Sequence, residues 1–151
     1  MTIRDTFAAV LAGAVMAAAP VVAHHSFSAE FDGAKEIKVT GKVTKLEWTN
    51  PHAWFFVDVS EICEGPAGSE KNKTWKCVSG SAAQPNDWGF ELASPNGLMR
   101  LGWSRNSLKS GEAVTVEGTR AKDGSRKANA RSVVMADGKR LFAGSSQTST
   151  P

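Results

Sequence analysis

TGKVTKLEWTNPHAWFFVDV, residues Thr40–Val59, reads as two strands folded about a turn. Val39, Gly41 and Val43 alternate with Thr40, Lys42 and Thr44, the period of two that suits a half-buried strand. Leu46 and Trp48 carry the apolar face onward one position out of step, and a slip of one residue moves a face across a sheet unless a bulge absorbs it. The stretch therefore predicts one long bent strand, about Ile37–Trp48, with its break near Lys45. Thr49-Asn50-Pro51 follows as a turn, because proline fixes its own φ and drives the preceding residue out of the helical region. Phe55, Val57 and Val59 then alternate with Trp54 and Phe56 in a second strand, about Ala53–Glu61. His52 falls at the mouth of this hairpin.

Working outward, the N-terminal side carries Arg4 and then an apolar, alanine-rich run over Phe7–Val22, ending Val21-Val22-Ala23. This is the pattern of a secretory signal peptide. The run is short for a membrane span and rich in Ala rather than Leu. Cleavage after Ala23 would leave 128 of the 151 residues, with His24-His25 as the new N-terminus. No other stretch could cross a membrane, so the expected location is the periplasm or the exterior. Residues 24–36 read as a mixed N-terminal segment in which Phe31 packs as a lid.

On the C-terminal side, Ile62–Gln84 is a long polar excursion with little periodicity. Loops of that length in a compact domain are uncommon and usually functional or tied down. Cys63 and Cys77 sit near its edges, and an even cysteine count in an exported chain favours a disulfide; the pair lacks Cys-x-x-Cys spacing. Asp87–Ala93 is the next strand. Ser94-Pro95 opens a short helix with Leu98, Met99 and Leu101 as an apolar stripe. Ser104–Leu108 reads as one further helical turn. Ala113–Arg120 and Ala128–Met135 are strands joined at Lys122-Asp123-Gly124-Ser125, a hairpin signal. Lys139–Phe142 can pair as a short last strand, and residues 144–151 read as a disordered tail. Strand, strand, strand, short helix, strand, strand predicts an all-β domain over residues 37–143, a small OB-fold-like antiparallel β-barrel. Another small barrel or a sandwich has the same periodicity. The expected core includes Val39, Val43, Leu46, Phe55, Val57, Phe90, Leu92, Leu98, Val114, Val116 and Val134.

The net charge of +3 hides an asymmetry: seven Lys/Arg against ten Asp/Glu over 24–95, ten against four over 96–151. A basic C-terminal half could face an anionic partner, although charges this scattered are what a solvated face carries.

Several motifs resemble those of a family of small exported bacterial proteins known only as a domain of unknown function. They are His24-His25-Ser26-Phe27, Glu47-Trp48-Thr49-Asn50-Pro51-His52, Trp88-Gly89-Phe90-Glu91-Leu92, Ser94-Pro95-Asn96-Gly97-Leu98, and Ala121-Lys122-Asp123-Gly124-Ser125. The resemblance implies export and a compact β-barrel and brings no activity with it. The Cys63–Cys77 excursion is longer than the family pattern.

Function must then come from the residues. No Gly-x-Ser-x-Gly or phosphate-cradling loop is present. Trp48, Trp54 and Trp103 with Arg105 could form a ligand face, but an exported protein meets little nucleic acid, so an anionic glycan, a peptide or an envelope component suits it better. The three histidines are more distinctive. An N-terminal His offers its amine and its ring to one metal ion. With His24 at position one, His52 as a second imidazole and His25 as a possible further ligand, the set is a histidine brace, and nitrogen-rich tetragonal geometry suits copper. The sequence thus favours a non-catalytic binding module holding copper. A plain ligand-binding OB-fold and a histidine-brace copper oxidase are the alternatives.

Overall fold

The computed structural model describes residues 27–66, 75–79 and 87–144. Residues 1–26, with the expected leader, His24 and His25, and the expected tail beyond Gly144 lie outside the described residues. The elements in order are α1 (Phe27–Glu30), β1 (Phe31–Glu47), β2 (Trp54–Pro66), β3 (Lys76–Ser79), β4 (Asp87–Glu91), α2 (Pro95–Arg100), β5 (Ala113–Ala121), β6 (Lys127–Met135) and β7 (Arg140–Phe142). The chain is all-β with little helix. The sheet runs β1-β5-β6-β4-β2-β3, with β7 added on β6, and β1 also bonds β2. That extra pairing closes β1, β5, β6, β4 and β2 into a ring. Among the described residues no helix is long and apolar enough to cross a membrane.

β1 can serve both β2 and β5 because it is long and broken by bulges. Its register against β2 steps from Val43↔Val57 to Lys45↔Phe56, leaving Thr44 as the extra residue beside the expected break. β1 starts at Phe31, earlier than the expected Ile37. Phe31 is no lid: it is buried, it stacks on Phe27 at 5.5 Å, and it pairs with Ala121 of β5. The β4–β6 pair is parallel, a departure from the all-antiparallel expectation. Parallel neighbours need a long crossover, and α2 with β5 supplies it.

The expected core residues are buried except two. Leu46 is half-buried, packed against the core near the end of β1. Val134 is half-buried while Val133 is fully buried. The register of β5 on β6 steps from Glu117↔Ser132 to Gly118↔Ala130, so Arg131 is an extra residue. The inward phase of Ala128 and Ala130 therefore passes to Val133, and unbroken alternation misses it.

α2 begins as expected. The Ser94 hydroxyl accepts from the Gly97 amide at 3.3 Å, and Pro95 occupies the first turn. Only Leu98 of its apolar stripe is buried; Met99 and Leu101 are exposed, since the face turned inward is that of Pro95 and Leu98. Ser104–Leu108 is a single non-helical turn, closed by the Ser107 amide donating to Ser104 O at 3.1 Å and held by Ser107 Oγ accepting from the Ser104 amide at 2.8 Å.

The described ends of the polar excursion are strands. β2 continues to Pro66, and β3 pairs back on it with Cys63 directly opposite Cys77. Their sulfurs lie 2.07 Å apart, bonding distance. Trp75 lies across Gly65, where a Cβ would come within 2.7 Å of the indole, and Lys38 Nζ sits 5.1 Å from the ring centre. β3 is exposed throughout and, among the described residues, pairs with β2 alone, so the disulfide is its one covalent tie to the ring. Replacing both cysteines by alanine is expected to remove up to about 3 kcal/mol, the chain-entropy value for a loop of this length. Hydrogen exchange should show amides 76–79 losing protection while Val57 and Phe90 keep theirs. Unchanged protection at β3 would contradict the anchoring role.

Candidate functional site

His52 is held by the chain on its C-terminal side. The Ala53 amide donates to Ala93 O at 3.1 Å, and the Leu92 amide donates to Ala53 O at 2.9 Å. Ala53 is fully buried. These bonds fasten the start of β2 to the end of β4, and the cis Asn50–Pro51 peptide leads into them. His52 is thereby placed beside Glu91, the last residue of β4.

The contact between them is direct: His52 Nδ1 bonds Glu91 Oε1. The other carboxylate oxygen accepts from Asn129 Nδ2 at 3.3 Å. Asn129 stands opposite Glu91 in the parallel β4–β6 register. Glu91 and Asn129 are buried at 8% and 3% exposure, while the His52 side chain is 43% exposed. Among the described residues Asn129 Oδ1 has no hydrogen-bond partner.

This geometry has a chemical consequence. In a neutral ring whose Nδ1–H is donated to the carboxylate, the lone pair lies on Nε2. An imidazole oriented in this way by a carboxylate is the usual second-sphere arrangement of a metal-binding histidine. Glu91 and Asn129 were not in the sequence-derived site. Their signals were a carboxylate inside the apolar run Trp88–Leu92 and a lone amide between Ala128 and Ala130.

Of the other metal candidates, His24 and His25 fall outside the described residues. Glu61, Cys63 and Cys77 cluster, but the two sulfurs are bonded to each other and offer no thiolate.

The expected ligand face does not assemble as a unit. Trp103 is buried, its Nε1 donating to Phe142 O at 2.8 Å, so it belongs to the core. Trp48 is half-buried against the core, and Arg105 is exposed on the turn after α2. Trp54 instead lines a groove of about 450 Å³ with Phe56 and Gly89. Glu47 and Asp87 border the groove, as do Arg126 and Lys127 from the β5–β6 turn. That turn is tied to β4 by the Gly89 amide donating to Arg126 O at 3.0 Å.

No curated protein and no solved structure matches the chain. Residues 11–83 and 74–130 match the family of unknown function DUF6152. These spans take in His24, His25, His52, Glu91 and Asn129. They cover most of the chain, which therefore belongs to DUF6152.

Proposed function

We propose that this is an exported binding module that holds one copper ion at the N-terminal end of its processed chain. In this reading the leader is removed after Ala23. The His24 amine and ring supply two nitrogens, His52 Nε2 supplies a third, and His25 is available as a further ligand. The carrying observation is the His52–Glu91 pair, which leaves Nε2 as the free donor nitrogen on a partly exposed ring. Three nitrogen donors with open positions suit Cu(II). The ring of β1, β2, β4, β6 and β5, with α2 between β4 and β5, is read as an OB-fold-like barrel. Phe27–Glu30 is helical and Phe31 pairs with Ala121, so the tether is residues 24–26, which reach about 10 Å from Phe27 when extended.

The test compares Cu(II) affinity in the processed wild type, His52→Ala, Glu91→Gln and a form with one extra residue ahead of His24. Losing His52 or burying the terminal amine in a peptide bond should each weaken binding by about a hundredfold or more. Glu91→Gln should weaken it about 10- to 100-fold, the range for an outer-sphere partner. Equal affinity across the four samples would overturn the reading.

A further inference from the structure

We propose that the groove over β2 and β4, which adjoins Glu91 through its pairing with Trp54, is a second binding site, and that its ligand is a neutral oligosaccharide. Its floor is aromatic. Trp54 and Phe56 are two residues apart on β2, so both rise from one face of the sheet. Gly89 lies between them on β4, opposite Phe56. A Cβ at Gly89 would sit 3.3 Å from the Phe56 ring and 3.6 Å from the Trp54 ring. The rings thus rest against bare β4 backbone, and both remain only half-buried. The volume of about 450 Å³ lies within the usual range of small-molecule sites.

The rim selects among ligand classes. Glu47 and Asp87 line it together with Arg126 and Lys127, and Lys45 Nζ, 2.5 Å from Glu47 Oε1, stands 6.0 Å from the Phe56 ring centre, so both signs of charge are interspersed. A polyanion would meet the carboxylates as well as the cations, so a nucleic acid or acidic polymer is a poor match. A peptide adding as a strand needs a free backbone edge. Here β2 is bonded by β1 and β4, and β4 by β2 and β6, so none is offered over the groove. A sugar ring fits both features. Its C–H face packs on an aromatic ring, and each hydroxyl can donate to a carboxylate while accepting from a guanidinium or ammonium group.

The experiment titrates the full chain with a panel of neutral gluco-, manno-, galacto- and N-acetylglucosamine hexasaccharides. Tryptophan fluorescence and calorimetry are the readouts. At least one member should bind, with an affinity that hardly changes between low and high salt because no net charge is neutralised. Trp54→Ala should weaken that binding roughly tenfold or more through loss of the stacking surface. Glu47→Gln with Asp87→Asn should weaken it as well, and Arg105→Ala, away from the groove, should not. Folding of each variant is checked by near-ultraviolet circular dichroism. No binding by any member of the panel would overturn the proposal. So would binding that Trp54→Ala leaves intact, or preferential binding of a sulfated polysaccharide with a steep salt dependence. Each of these outcomes leaves the copper measurement untouched, so the two readings fail separately.

Discussion

Phe90→Ala is expected to lower the free energy of unfolding by about 3–5 kcal/mol, the range for an aromatic removed from a closed core. Phe90 has no exposed surface and stacks on Phe55 at 5.2 Å between ring centres, with Trp88 at 6.4 Å. It stands opposite Phe55 on one side and opposite Ala128 on the other. The cavity would open where β4 bridges β2 and β6, and strands paired on both sides cannot collapse into it. A domain of this size has about 5–15 kcal/mol of stability in total, so the variant should be marginal at room temperature. Urea unfolding followed by tryptophan fluorescence measures the loss. A change below about 1 kcal/mol would mean that β4 is not the centre of the core.

Gly118→Val is expected to destabilise by about 3 kcal/mol, the upper part of the range for forcing atoms into a packed site. Strand propensity argues the other way, since valine favours strands and glycine does not. The deciding fact is the approach of β6. A Cβ on Gly118 would lie 2.4 Å from Asn129 O and 3.3 Å from Ala130 Cα. These are backbone atoms at the step in the β5–β6 register, and no rotamer change relieves them. Displacing Asn129 would also loosen its bond to Glu91, so the His52 site should suffer along with the fold. Gly33→Val is the control: nothing lies within 4 Å of a Cβ there, and its effect should stay within about 0.5 kcal/mol. Equal stabilities for the two variants would contradict the close approach.

These two positions show where the sequence was readable. Alternation identified most of the ring because apolar residues such as Val39, Val43, Phe55, Val57 and Val116 point inward at every second position. It failed at Arg131, where a bulge changes the phase with no residue type to announce it. It also failed at Lys76–Ser79, a polar strand that exists through its pairing across a disulfide. The site divided in the same way. His52 drew notice because Pro51 marks the turn before it. Glu91 did not, because a carboxylate in a strand ordinarily faces solvent; its burial depends on Asn129, brought alongside by the long-range parallel pairing of β4 with β6. The aromatic groove was hidden for a related reason. Trp54 and Phe56 were legible as one strand face, but Gly89 and the Arg126–Lys127 turn join them only once the ring is closed.

The central claim is that His52 and the processed N-terminus share one copper ion. Mass spectrometry first establishes His24 as the terminal residue. Pulsed electron paramagnetic resonance of the Cu(II)-loaded protein, with nitrogen-15 histidine, then counts the imidazoles bound to the metal. The account predicts coupling from more than one imidazole in the wild type, with one coupling lost in His52→Ala. Identical spectra from the wild type and His52→Ala would contradict it.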